Sequence, residues 1–233
     1  MATVDEILAR AKNDNRTVLT EFESKELLTA VGIPIPAQML VPVKDGQEKV
    51  IQACSQIGYP VVMKLMSDKI VHKSDSGAVK LNIQNETEAQ AAMADLLAIE
   101  CDDEHKGISI QQMAKPPIAE IIIGSLQDPQ FGATIMFGIG GVLVEVMKDV
   151  AFRIAPISNF DADEMIHEIK GFKILDGYRG KPPADLEAIK DTLKKVAKLA
   201  YDHPEIAEMD LNPLFTYADG ILAVDARIIL KSE

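Results

Sequence analysis

Residues 61–77 read VVMKLMSDKIVHKSDSG, and the character of the chain changes sharply within them. Val61 to Leu65 is an apolar run of strand length with one cation, Lys64, inside it. A lysine in such a run is costly unless an anion pairs with it. Ser67 to Gly77 is polar, small and hydroxylated, with His72 at its middle. Backbone N–H groups in a loop of this kind can approach a phosphate closely. The residues alone leave two readings open: a phosphate cradle, or an edge-strand lysine followed by a solvated turn. The loop is not a Walker A motif, since Gly-x-x-x-x-Gly-Lys-Ser/Thr occurs nowhere. An imidazole can serve as base or phosphoryl acceptor near neutral pH, and His72 reads as that or as a surface histidine. His105, His167 and His203 lie in acidic or helical contexts and read as surface residues.

Outward from this segment, helices and strands alternate. Helices are predicted near 3–13 and 20–31, the second with Thr20 and Glu23 as a capping box and Gly32 as its stop. Pro34 and Pro36 force an extended exit into a strand at 37–43. A helix over 45–57 precedes the Lys64 strand. A strand at 79–83 and a helix from Asn85 to about Ile99 follow it. Cys101 to Lys106 reads as a surface connection. The second half holds strands near 108–113, 119–123, 132–137, 142–146, 151–155, 206–211 and 221–230, with helices near 161–169 and 185–201. This is a two-lobed α+β pattern with a hinge near Met113–Pro117.

A second constellation is Glu208-Met209-Asp210-Leu211-Asn212-Pro213-Leu214-Phe215, followed by Ala223-Val224-Asp225-Ala226-Arg227. Strand alternation puts Asp210 and Asn212 on one face, and Pro213 is expected to end regular pairing. If the two strands pair, Asn212 and Asp225 meet as two oxygen ligands with open positions, which suits magnesium completed by water and phosphate. A turn-capping carboxylate and an incidental aspartate are the bland alternative. The glycine-rich stretch Phe131 to Glu145 fails as a dinucleotide fingerprint and reads as a tight hairpin or a close-approach loop.

The bulk properties set limits. A chain of 233 residues with 47% hydrophobic residues can bury a sizeable core. A net charge of −12 argues against a general nucleic-acid or anionic-membrane surface, though local cations can still hold phosphate. Cys54 and Cys101 have no partner at zinc-ligand spacing, Cys54 reads as core, and a reducing, cytoplasmic setting is expected. No basic start precedes an apolar run at the N-terminus, and no apolar stretch approaches the ~20 residues that span a bilayer.

Taken together, TEFESKELL (20–28), GYPVVMK (58–64), VHKSDSG (71–77), FGIGGVLVE (137–145), DVAFRIAP (149–156) and DLNPL (210–214) resemble the ATP-grasp subunit of ADP-forming acyl-CoA synthetases. The nearest likeness in size is the separate β subunit of ADP-forming acetyl-CoA synthetase, and succinyl-CoA synthetase β subunits are similar at a greater distance. The resemblance spans about Thr20 to Leu230. It implies an ATP-grasp fold: a helical extension over 1–19, an N-terminal lobe over 20–112 and a C-terminal lobe over 113–233. It implies the reaction acetyl-CoA + ADP + phosphate ⇌ acetate + CoA + ATP, with ATP/ADP as substrate and Mg2+ as cofactor. The CoA and acid sites, and a phosphorylated histidine on a mobile loop, would belong to a separate α subunit in an α2β2 assembly. By the same resemblance His72 is a phosphoryl carrier and Lys64 the nucleotide-binding lysine. The resemblance likewise implies that Gln111, Gln112 and Met113 lie beside adenine, that Glu120 contacts the nucleotide, that Asn212 and Asp225 bind magnesium, and that Asp210 steadies the incoming phosphohistidine. Gly77-Ala78 departs from a common Gly-Gly pair, which costs little if Ala78 keeps a negative φ. Two other functions share the fold: a self-sufficient carboxylate–amine ligase and a non-catalytic nucleotide sensor.

Overall fold

In the computed structural model the described residues are 2–67, 77–99, 107–140, 149–180 and 182–232. The chain opens with α1 (Val4–Asn13) and α2 (Glu21–Ala30), each started by a threonine and a glutamate in a reciprocal capping box. At the second, Thr20 N donates to Glu23 (2.8 Å) and Glu23 N to Thr20 Oγ1 (3.2 Å). Arg16 grips the same Glu23 carboxylate through two hydrogen bonds of 2.7 and 2.8 Å. The prolines then carry the chain into β1 (Gln38–Val41), and a short 3-10 turn leads to α3 (Gln47–Ile57). β2 (Val61–Met66), β3 (Val79–Ile83), α4 (Glu86–Leu97) and β4 (Gly107–Gln112) follow. They form an antiparallel sheet in the order β1-β4-β2-β3. Val61, Met63, Leu65, Ile108 and Ile110 pack with Val50, Cys54, Met93 and Leu96 of the two helices. Strand parity puts Lys64, Ser109 and Gln111 on the other face, where the registers pair Lys64 with Ser109 and Val62 with Gln111.

The remainder comprises β5 (Ala119–Asp128), β6 (Gly132–Ile139), β7 (Val150–Ile154), α5 (Asn159–Glu168), α6 (Phe172–Leu175) and α7 (Leu186–Asp202). It closes with β8 (Ile206–Tyr217), β9 (Gly220–Ala223) and β10 (Arg227–Leu230). The larger sheet runs β10-β8-β5-β6-β7, with β9 paired to β8. All described pairings are antiparallel. α7 buries Ile189, Leu193, Val196, Ala197 and Ala200, one stripe at helical spacing, in the core that covers one face of this sheet.

The chain divides into two compact units, residues 36–115 and residues 1–35 with 116–233. The division falls inside the Met113–Pro117 segment. It differs from the expected lobe limits at the N-terminal end, because residues 20–35 join the C-terminal unit. The cause is local. Leu19, Leu27, Leu28 and Ile33 enter that unit's core, Leu19 N donates to Ile228 O (3.0 Å), and Ala223 N donates to Pro34 O (2.9 Å). Helix boundaries differ from expectation by a few residues. The expected strand at 142–146 and connection at 101–106 lie outside the described residues.

Thr20→Ala removes the cap oxygen and one side of the box. The expected cost is about 1 kcal/mol, seen as a fall of about 2–4 °C in melting temperature. An unchanged melting curve would show that the Arg16–Glu23 contact holds the helix start without the cap.

Candidate functional site

β8 was expected to stop at Pro213 but continues to Tyr217. A bulge resolves the conflict. On β5, Ile121 pairs with Leu214 and Ile123 with Leu211, so Asn212 and Pro213 together face the single residue Ile122. A proline has no N–H to give a ladder, and a bulge needs none at that point. Its carbonyl still works, accepting Val224 N at 3.1 Å. The Asn212–Pro213 peptide is cis.

The bulge has a second consequence. On the other side of β8, Leu214 pairs with Ala223 of β9 and Asp210 with Arg227 of β10. The register is the same before and after the break at Val224–Ala226, so Asn212 stands opposite Asp225. The single strand expected over 221–230 is thus two strands separated by the acidic residue. Asp225 Oδ1 accepts the N–H of Ala226 at 2.7 Å, which fixes the carboxylate at the break. The donors are hard oxygens and number two. Among the described residues no group of three or more His, Cys, Asp or Glu is arranged to hold a metal. Such a pair fits a magnesium ion that arrives with phosphate and water ligands, and does not make an all-protein cage.

Strand parity places Glu208, Asp210 and Asn212 on the sheet face opposite the core, while Met209, Leu211 and Leu214 are buried. Asp210 Oδ1 is buried and accepts no hydrogen bond. Burial, and then the nearby carboxylates of Glu208 and Asp225, push its pKa up to about 6, against the opposing pull of Arg227. An orphaned buried acceptor costs free energy on its own, roughly 1–3 kcal/mol. It is suited to a donor brought by something else, and an imidazole N–H would satisfy it. Glu120 faces the same way, as the cross-strand partner of Phe215, and is exposed. Gly140 N donates to Glu120 O at 2.7 Å. A Cβ on Gly140 would lie 3.2 Å from the Glu120 carbonyl carbon, so this close approach favours glycine.

In the other unit Lys64 is 5% exposed, on β2 between β3 and β4, so it is not an edge-strand lysine. It lies across from Ser109. Gln111 is buried and donates from Nε2 to Ser109 Oγ at 3.1 Å. Lys64, Ser109 and Gln111 therefore form a polar patch on the sheet face opposite the one packed by α3 and α4. Gln112 is exposed, and Met113 half-buried. Their backbone N–H groups are taken by Ala37 O (2.9 Å) and Pro60 O (3.1 Å), which leaves side chains and carbonyls for any ligand contact at this strand end. Gly77 has φ +72, whereas Ala78 is absent from the positive-φ residues and is fully buried, so the alanine departure is accommodated. His72 lies outside the described residues.

The ATP-grasp domain family matches residues 10–230. The β subunit of acetate–CoA ligase (ADP-forming) I from Pyrococcus furiosus is 46% identical over 99% of both chains. The chain belongs to the ATP-grasp subunit family of ADP-forming acetate–CoA ligases. A Korarchaeum cryptofilum acetyl-CoA synthetase solved with coenzyme A and Ca-AMPCP shares its fold at a TM-score of 0.94 and 44% identity, over 98% of this chain and 100% of that one. The same enzyme has been seen with Mg-AMPPCP and a phosphohistidine segment pointing towards its nucleotide site, at a TM-score of 0.87. In the Archaeoglobus fulgidus acetate–CoA ligase (ADP-forming) I, 44% identical over 91% of this chain, the match is 31% of a longer polypeptide. This ligase family thus occurs both with a separate β subunit and with the equivalent region inside a larger chain.

Two residues of these faces were not assigned a role from sequence. Ser109 was visible as a hydroxyl in an apolar strand, but its partners depend on register. Arg227 sits two positions after Asp225, and strand parity alone would have put both on one face.

The pH dependence of Asp210 is testable. Its folded pKa, about 6, lies above its ordinary value of 3.8, so its contribution to stability is full below about pH 4 and is lost as pH rises through 6. Asp210→Asn should raise unfolding stability at pH 7.5 by about 1–3 kcal/mol, with the gain shrinking towards zero near pH 4. Urea unfolding at several pH values checks this, and a gain independent of pH would contradict the assigned burial.

Proposed function

We propose that the chain is the nucleotide-handling β subunit of an ADP-forming acyl-CoA synthetase, catalysing acetyl-CoA + ADP + phosphate ⇌ acetate + CoA + ATP together with a CoA-binding α subunit, in an α2β2 assembly. The observation that carries this is the full-length identity to a β subunit of that activity, on a chain whose strand registers bring Asn212, Asp225 and Asp210 to one sheet face.

Asn212 and Asp225 would hold Mg2+, which when bound neutralises phosphate charge. Lys64 would contribute a fixed cation to the nucleotide phosphates, and its burial strengthens that attraction. Gln111, Gln112 and Met113 would line the base, and Glu120 would contact the nucleotide. His72 in neutral form would accept the phosphoryl group. The P–O bond to the nucleotide breaks, the P–N bond forms, and ADP leaves with the electron pair. Asp210 would receive the N–H of a histidine carried by the α subunit, which satisfies its orphaned oxygen and orients the ring. Phosphoryl transfer of this kind demands positioning and charge neutralisation above all.

The test is ATP formation from acetyl-CoA, ADP and phosphate by the chain alone and mixed with an α subunit. Activity is expected in the mixture and not in the chain alone. Unaided acyl-CoA chemistry by the isolated chain would overturn the assignment. In the same mixture, γ-labelled ATP should leave an acid-labile, base-stable label on the β chain that His72→Ala abolishes. A label unaffected by that change would remove His72 from the relay.

A further inference from the structure

The face that carries the candidate cation pair is strongly acidic. Glu120, Glu208, Asp210 and Asp225 all lie on it by register and parity. Any phosphate bound there must be offset by positive charge. Strands β5 to β10 contain two cations among their described residues, Arg153 and Arg227. Arg153 is engaged: it donates to Phe152 O (2.8 Å) and pairs with Glu168 (2.9 Å). Arg227 is exposed and directly across the ladder from Asp210. Its guanidinium nonetheless makes neither a hydrogen bond nor an ion pair among the described residues. An arginine that leaves adjacent carboxylates unbridged, beside a buried acceptor that is also unbridged, marks a site whose partner is a third group.

We propose that Arg227 is a phosphoryl-contacting residue: its guanidinium fork binds the terminal phosphoryl group of the nucleotide held at the Asn212–Asp225 pair. This rests on the nucleotide reading above and assigns a role to a residue that reading does not use. Three features support it. Arg227 opens β10 two residues after Asp225, opposite Asp210 as Asp225 is opposite Asn212, so both lie on the same sheet face and a phosphate at that pair is within reach of its side chain. The planar fork matches two non-bridging phosphate oxygens. Its positive charge is set close to the acidic residues that would otherwise repel the group. The alternative, that Arg227 only dilutes the local negative charge, predicts a different pattern of loss.

The two roles separate in nucleotide binding by the full chain. Calorimetry with Mg-AMPPCP and with Mg-ADP would be run on the wild type, Arg227→Ala and Arg227→Lys, with thermal unfolding of each. A contact to the terminal group should weaken Mg-AMPPCP at least about tenfold in Arg227→Ala and leave Mg-ADP within about twofold. Arg227→Lys, which keeps the charge and loses the fork, should fall between. Equal weakening of both nucleotides, no weakening, or full recovery of Mg-AMPPCP affinity in Arg227→Lys would overturn the proposal, because a through-space charge effect is restored by any cation at that position. If the wild type binds neither nucleotide, the functional reading fails and the proposal fails with it. Retained wild-type binding with an unchanged Arg227→Ala profile sinks the proposal alone.

Discussion

The bulge at Asn212–Pro213 is the constraint on which the candidate site depends. One extra residue in β8 lets a proline sit in an interior strand without breaking it. It leaves the pairing with β9 and β10 in a common register, so the break between those strands falls opposite the bulge. Asn212 and Asp225 are brought together there by backbone geometry. Without the bulge, a one-residue slip would turn every later side chain of β8 to the other face. Leu214 would leave the core and Phe215 would enter it.

Around that constraint the polar groups are arranged at some cost to stability. Asp210 is held half-buried with an oxygen unpaired and its pKa raised by burial and by Glu208 and Asp225. Arg227 is close enough to temper this and does not bridge it. An acceptor left unpaired in this way is common where a ligand completes the network, and the capped helices and apolar core of its unit offset the cost.

Much of this was legible from residues. The capping box at Thr20 and Glu23, the stripe along α7, and the alternation that aligns Asp210 with Asn212 are local patterns, and local patterns carry their own geometry. The opposition of Asn212 and Asp225 was legible only as a condition, since it needed a register. The extension of β8 through Pro213 was not legible, because proline is a strand terminator unless a neighbouring strand absorbs it in a bulge. The packing of residues 20–35 with the C-terminal unit was also hidden. An amphipathic helix shows that it has an apolar face, but not which core receives it. The role of Lys64 stayed ambiguous for a similar reason, since interior and edge strands look alike in one dimension.

The central claim is that the Asn212–Asp225 pair, assembled across the strand break, is a divalent-cation site used with a nucleotide. Electron paramagnetic resonance of Mn2+ titrated into the chain with AMPPCP tests it most directly. Asp225→Asn and Asn212→Ala should each weaken ternary Mn2+ binding at least about tenfold, with melting temperatures close to that of the wild type. Wild-type Mn2+ affinity in both variants would contradict the account.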